Sequence, residues 1–143
     1  MSQKEFSISV EINAPPERVW AVISGFERWP EWTASVQRIQ PLDPGPVAVG
    51  NRYRIWQPKV PPAVWKLTAL EPGRAFTWKS GTALARATAC HVVESVGAGS
   101  RVTLTLTYGG WLGAMVARIT RDLNDRYLKM EALGLKARAE GRG

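Results

Sequence analysis

The sequence predicts an α+β fold: a curved antiparallel sheet of about seven strands wrapped around a long C-terminal helix, with two short helices after the first strand. Three observations predict it. Residues 111–139 carry apolar side chains at steps of three and four, six segments between residues 36 and 108 read as strands with clear turn punctuation, and an alternating first strand runs straight into helix-start signals. The 143 residues suit a single domain, 1–143, with one core and no internal staple.

Taken in order, Phe6-Ser7-Ile8-Ser9-Val10-Glu11-Ile12 alternates apolar and polar residues, the pattern of a half-buried strand. Asn13-Ala14-Pro15-Pro16-Glu17 then opens a helix, because proline fits the first turn and an early glutamate suits the positive end of the helix dipole. Val19, Trp20, Val22, Ile23 and Phe26 give that helix its buried side, and Trp29-Pro30-Glu31-Trp32 breaks the chain into a second short helix or turn. Strands are expected over residues 36–42, 51–57, 64–70, 75–80, 85–96 and 101–108. Glu71-Pro72-Gly73 is a turn in which proline presets φ and glycine accepts a positive one. Short links between consecutive strands favour an antiparallel meander, and only the helix over 111–139, about 40 Å long, can cover its face. Leu112, Met115, Val116, Ile119, Leu123, Tyr127, Met130 and Gly134 form the stripe expected to face the sheet.

Strand alternation sorts the remaining side chains. Tyr53, Ile55, Gln57, Trp65, Leu67, Phe76, Trp78, Ala87, Ala89, His91, Val93, Leu104, Leu106 and Tyr108 fall on the inner face. Arg52, Arg54, Lys66, Lys79, Arg86 and Arg101 fall on the outer one. Trp56 is outward by phase, unless a bulge before Pro58 turns it in. Alanines at 87 and 89 beside large rings leave space, the first sign of a cavity.

The chemistry on offer is limited. His91 is the only histidine and the only inward side chain expected to titrate near neutrality; Cys90 beside it points to the other face, so the two make no nucleophilic pair. The inner face of the strands offers no carboxylate, and with one cysteine and one histidine no metal constellation forms. Gly97-Ala98-Gly99 joins two strands and is not a phosphate loop. One cysteine also excludes a disulfide framework, and the first residues lack the apolar core of a signal peptide, so a cytoplasmic location is expected.

The ordered set from Ile12-Asn13-Ala14-Pro15-Pro16-Glu17-Arg18-Val19-Trp20 through Trp29-Pro30-Glu31-Trp32, Gly50, Gln57-Pro58, Trp65, Glu71-Pro72-Gly73-Arg74, Trp78, His91 and Gly99-Ser100-Arg101-Val102-Thr103 resembles the START / polyketide cyclase / birch-pollen-allergen superfamily (SRPBCC). The resemblance implies a helix-grip fold with a cavity between sheet and helix for a small hydrophobic molecule, whether aromatic, polyketide-like or lipid. The expected ligand-binding set is Tyr53, Gln57, Trp65, Phe76, Trp78, His91, Tyr108, Met115, Ile119 and Leu123. A second reading is a cyclase or dehydratase using His91; a third is that the outer sheet face, made basic by those six side chains, meets nucleic acid or anionic lipid. No cofactor and no metal are expected, no nucleic acid is the expected partner, and the chain is expected to be a monomer or homodimer.

Overall fold

The computed structural model describes residues 4–141. Its strands are β1 (Glu5–Ile12), β2 (Arg38–Pro41), β3 (Arg52–Trp56), β4 (Ala63–Glu71), β5 (Ala75–Gly81), β6 (Arg86–Val96) and β7 (Gly99–Gly109). Helix α1 (Pro16–Ile23) and a 3-10 helix (Phe26–Glu31) follow β1, and α2 (Gly113–Ile119) and α3 (Arg121–Ala139) close the chain. The strands form one antiparallel sheet in the order β1-β7-β6-β5-β4-β3-β2, curved around α3.

Alternation governs the sheet as expected. Phe6 and Ile12 of β1 and Val102 and Leu104 of β7 are buried while Ser7, Ser9 and Glu11 are exposed. On the outer side Ser9 and Thr103, which are directly paired, exchange a hydroxyl hydrogen bond of 2.9 Å. Trp56 stays on the outer side, where Arg38, its partner across β2–β3, stacks on the ring at 4.6 Å. The six outward basic side chains lie as expected; two are paired, Arg52 with Asp43 and Arg101 with Glu11. The strand expected over 36–42 is shorter, because Val36 leaves the ladder to bury its side chain.

The C-terminal segment departs from expectation. It is two helices, not one, with the break at Thr120. Thr120 Oγ1 donates to the Val116 carbonyl at 2.7 Å, a back-bond that bends helices. The stripe is also turned: Trp111, Leu112, Met115 and Ile119 are exposed, whereas Gly113, Ala117, Asn124, Leu128, Ala132, Leu135 and Ala139 are buried. Gly113 and Gly134 sit where the helices meet other backbone, that of Tyr108 and of Trp32, and such close approach favours a missing side chain.

The far end of α3 is tied down by charge. Arg18 of α1 donates to the carbonyl of Ala139, placing a cation at the negative end of the helix dipole. Lys136 Nζ reaches both the Glu11 carbonyl, at 2.8 Å, and Glu140 Oε2, at 2.7 Å; the same oxygen accepts the Asn13 amide at 2.7 Å. The near half of α3 is held instead by polar side chains that also line the interior.

Candidate functional site

Two fillings share the concave side of the sheet. The first is a cluster of rings. Phe26 lies 5.1 Å from Tyr53, 4.9 Å from Phe76 and 5.0 Å from Trp78, and Trp29 lies 5.4 Å from Trp78. These contacts bury the 3-10 helix against β3 and β5, and the edge and tilted geometries are those aromatic quadrupoles favour. The second filling is empty space: a cavity of about 110 Å³ between β6, β7 and α3. Ala87 and Ala89 line it, so the small residues of β6 leave room at the place where β5 supplies a tryptophan.

Of the residues singled out in the sequence, Gln57, Trp65, Trp78, His91 and Tyr108 line this cavity. Tyr53 and Phe76 are buried in the ring cluster and stand outside the lining. Met115 and Ile119 are exposed and point away from the interior, which corrects the expectation that they floor the pocket; Leu123 is likewise absent from the lining. The helix contributes Asn124, Tyr127, Leu128 and Glu131, of which Tyr127 belongs to the stripe expected from the sequence and the other three do not.

Glu131 changes the chemistry of the site. It brings from the helix the carboxyl group that the strands lack. Burial pushes its carboxyl up to about 8, although a hydrogen bond with Ser35 pulls the other way. At neutral pH the group is therefore mainly the neutral acid. Ser35 is itself fully buried and shares a hydrogen bond of 2.7 Å with the Thr33 hydroxyl, so the carboxyl is anchored to the segment that follows the 3-10 helix.

His91 behaves oppositely. Its ring stacks on Phe76 at 4.0 Å, nearly parallel, and Trp29 and Trp78 meet it edge-on at 5.8 and 5.7 Å. Burial pushes its pKa down to about 3, with a smaller opposing effect from the Phe76 carbonyl, 3.4 Å from Nδ1. The imidazole is neutral across the physiological range, so of these two groups it is Glu131, not His91, that titrates near neutrality.

A directional chain of hydrogen bonds forms a third polar point. Tyr108 donates to Asn124 Oδ1 at 3.1 Å, and Asn124 Nδ2 donates to Thr120 Oγ1 at 2.9 Å. The chain ends in the bond from Thr120 to Val116 that marks the helix break. Tyr108 spends its proton inside this chain and keeps lone pairs for an acceptor role. Tyr127 also donates its hydroxyl proton, to the Pro58 carbonyl, pinning α3 to the β3–β4 connection.

The comparisons with known proteins follow the same outline. A family model described as "Polyketide cyclase / dehydrase and lipid transport" matches residues 3–140. No curated protein matches the chain. Among solved structures, the protein TTHA0849 from Thermus thermophilus is 21% identical, covering 94% of this chain and 96% of its own, with a TM-score of 0.74. The hypothetical protein jhp0584 from Helicobacter pylori is 11% identical over 94% of this chain and 86% of its own, with a TM-score of 0.77. The di-domain ARO/CYC StfQ of the steffimycin biosynthetic pathway is 15% identical over 96% of this chain and 51% of its own, with a TM-score of 0.75. At these identities the likeness is one of fold.

Proposed function

The chain belongs to the polyketide cyclase / dehydrase and lipid transport family, and on that premise we propose that it binds a small hydrophobic molecule, aromatic, polyketide-like or lipid, in the cavity between the sheet and α3. The observation that carries this reading is the composition of the cavity wall. Trp29, Trp65, Trp78, Leu104, Leu106 and Leu128 give it apolar surface, and a few polar groups stand at separated points along it. Apolar walls supply the affinity, and sparse fixed polar groups choose the orientation. Glu131, as a neutral acid, donates to a carbonyl or hydroxyl oxygen; the Tyr108 oxygen accepts. The space of about 110 Å³ lies well below the 300–1,000 Å³ typical of ligand pockets, so it seats a ring-sized group, and a larger ligand must move α3.

A second reading, acid–base chemistry of the cyclase or dehydratase type, is favoured by one specific feature. A carboxyl held near neutral pKa in an apolar chamber is suited to proton transfer at the operating pH. In that reading Glu131 takes the role that the sequence suggests for His91, whose protonated form is suppressed.

Native mass spectrometry of the purified chain, looking for a retained small molecule, is the direct test, joined by tryptophan fluorescence titration with 1-anilinonaphthalene. Binding predicts a retained molecule or a saturable quench that falls when Leu128→Trp fills the cavity. No retained mass and no saturable response would remove the binding reading. Turnover of a bound ligand that disappears in Glu131→Gln while binding persists would select the enzyme.

A further inference from the structure

Besides Val47, Val49, Val64 and Leu133, which are exposed elsewhere, the exposed large apolar side chains among the described residues are gathered at one place. Trp111 is 90% exposed, Ile119 74%, Met115 49% and Leu112 38%, and Leu84 of the β5–β6 connection is 49% exposed. Met115 and Ile119 are spaced by four, so they lie above one another along one side of α2, and Trp111 stands in the turn that leads into it. The opposite side of α2 buries Gly113 and Ala117, with Gly113 against the backbone of Tyr108. The display is therefore anchored, not frayed. Gly110 fixes its other half: its φ of +88° needs glycine, and a Cβ there would lie 2.5 Å from the Ala83 carbonyl oxygen and 2.7 Å from that of Leu84. This close turn, with the Leu112 amide donating to the Leu84 carbonyl at 2.8 Å, sets Leu84 beside the helix start.

The rim of the patch is basic. Arg118 lies between Met115 and Ile119 in the helix sequence, Arg121 opens α3, and the Arg86 guanidinium lies against Gly109 at the base of α2. All three are exposed. Asp122 and Asp125 are the acids of this end, and the pair of Arg121 with Asp122 is a long 4.0 Å. Trp, Met and Arg are common in protein interfaces too, so the choice of partner rests on charge: an indole and aliphatic side chains ringed by arginine match the layered chemistry of an anionic lipid surface. The net charge of +7 adds long-range attraction to an anionic one.

We propose that the outer side of α2, with the β5–β6 turn, is a docking surface for an anionic lipid bilayer. Trp111, Met115 and Ile119 enter the boundary between headgroups and acyl chains, and Arg86, Arg118 and Arg121 meet the lipid phosphates. The contact is peripheral, since no helix among the described residues is long and apolar enough to cross a membrane. It does not depend on what the cavity holds, although the two are neighbours: the Thr120 junction that ends α2 is hydrogen-bonded to Asn124 of the cavity wall.

Co-sedimentation of the full chain with phosphatidylcholine vesicles, and with vesicles containing phosphatidylglycerol, tests this. Binding is expected to the anionic vesicles and to weaken with salt. Trp111→Ser and Ile119→Ser should each lower the partition coefficient by roughly tenfold, the scale for one large apolar side chain kept in water. Arg118→Gln and Arg121→Gln should each lower it by about fivefold. These side chains are exposed, so circular dichroism and Tm should match the parent. Indifference to lipid charge, or vesicle binding unchanged in Trp111→Ser and Ile119→Ser, would overturn the proposal. So would a dimer that both substitutions dissociate in a chain that ignores vesicles.

Discussion

Gly134 of α3 lies directly on the backbone carbonyl of Trp32, so close that a methyl group on Gly134 would overlap that oxygen. The contact lets α3 approach the segment after the 3-10 helix, and it thereby brings Glu131 to Ser35. Gly134→Ala should destabilise the chain by about 1–3 kcal/mol through overpacking, even though alanine favours a helix by about 1 kcal/mol. Urea unfolding reads this as a lower midpoint at unchanged slope. A gain in stability would mean that the contact relaxes freely.

His91 and Glu131, both in the cavity wall, predict a flat-topped stability curve. His91 falls from 6.5 to about 3 on folding, so the unfolded chain binds the extra proton between those values and stability is lost as pH falls. Glu131 rises from 4.5 to about 8, so the folded chain binds the extra proton and stability is lost as pH rises. The two slopes oppose each other between pH 4.5 and 6.5, leaving a plateau with losses on both sides. Each loss amounts to a few kcal/mol. Glu131→Gln should abolish the alkaline fall and leave the acid one, as followed by Tm against pH.

Trp78 and Trp65 face the same cavity but differ in what supports them. Trp78 is 3% exposed and meets Phe26, Trp29, Tyr53, Trp65, Phe76 and His91, whereas Trp65 is half-buried and has one ring contact, with Trp78. Trp78→Ala should cost about 3–5 kcal/mol, as for a packed aromatic, and Trp65→Ala clearly less. Equal losses from denaturant unfolding would show that the cavity side of Trp65 is as tightly packed as the cluster.

Removing the Tyr108 hydroxyl should loosen the helix junction. Tyr108→Phe leaves the Asn124 carbonyl oxygen without its donor in a buried position, a loss of about 1–2 kcal/mol. Amide hydrogen exchange at residues 120–124 should accelerate more than in the β6–β7 core. Uniform acceleration would instead mark a general loss of packing.

The sheet was legible in the sequence because alternation is unambiguous when one face is buried, as in Phe6 to Ile12 and Val102 to Tyr108. The cavity wall on the helix was not. Two stripes run along residues 111–139, and the greasier one, through Met115 and Ile119, faces out. The inward one, with Gly113, Ala117, Asn124, Leu128 and Leu135 buried and Glu131 partly buried, hides small and polar residues that hydrophobic periodicity does not score. Its spacing of three and four was the available signal. Sorting only strand residues for carboxylates also overlooked Glu131, because a concave sheet takes its lid from another element.

Strand β1 pairs only with β7, so Ser7 meets Thr105 across most of the chain length. On the ribosome the first strand therefore waits, with Phe6 and Ile12 uncovered, until nearly all later strands have emerged. The meander from β3 to β7 can zip locally in the meantime, its links being short. Asn124, Tyr127 and Glu131 are synthesised after the last strand, so the polar wall is the final part to arrive. During synthesis the chamber is open on the side that later gives it its chemistry.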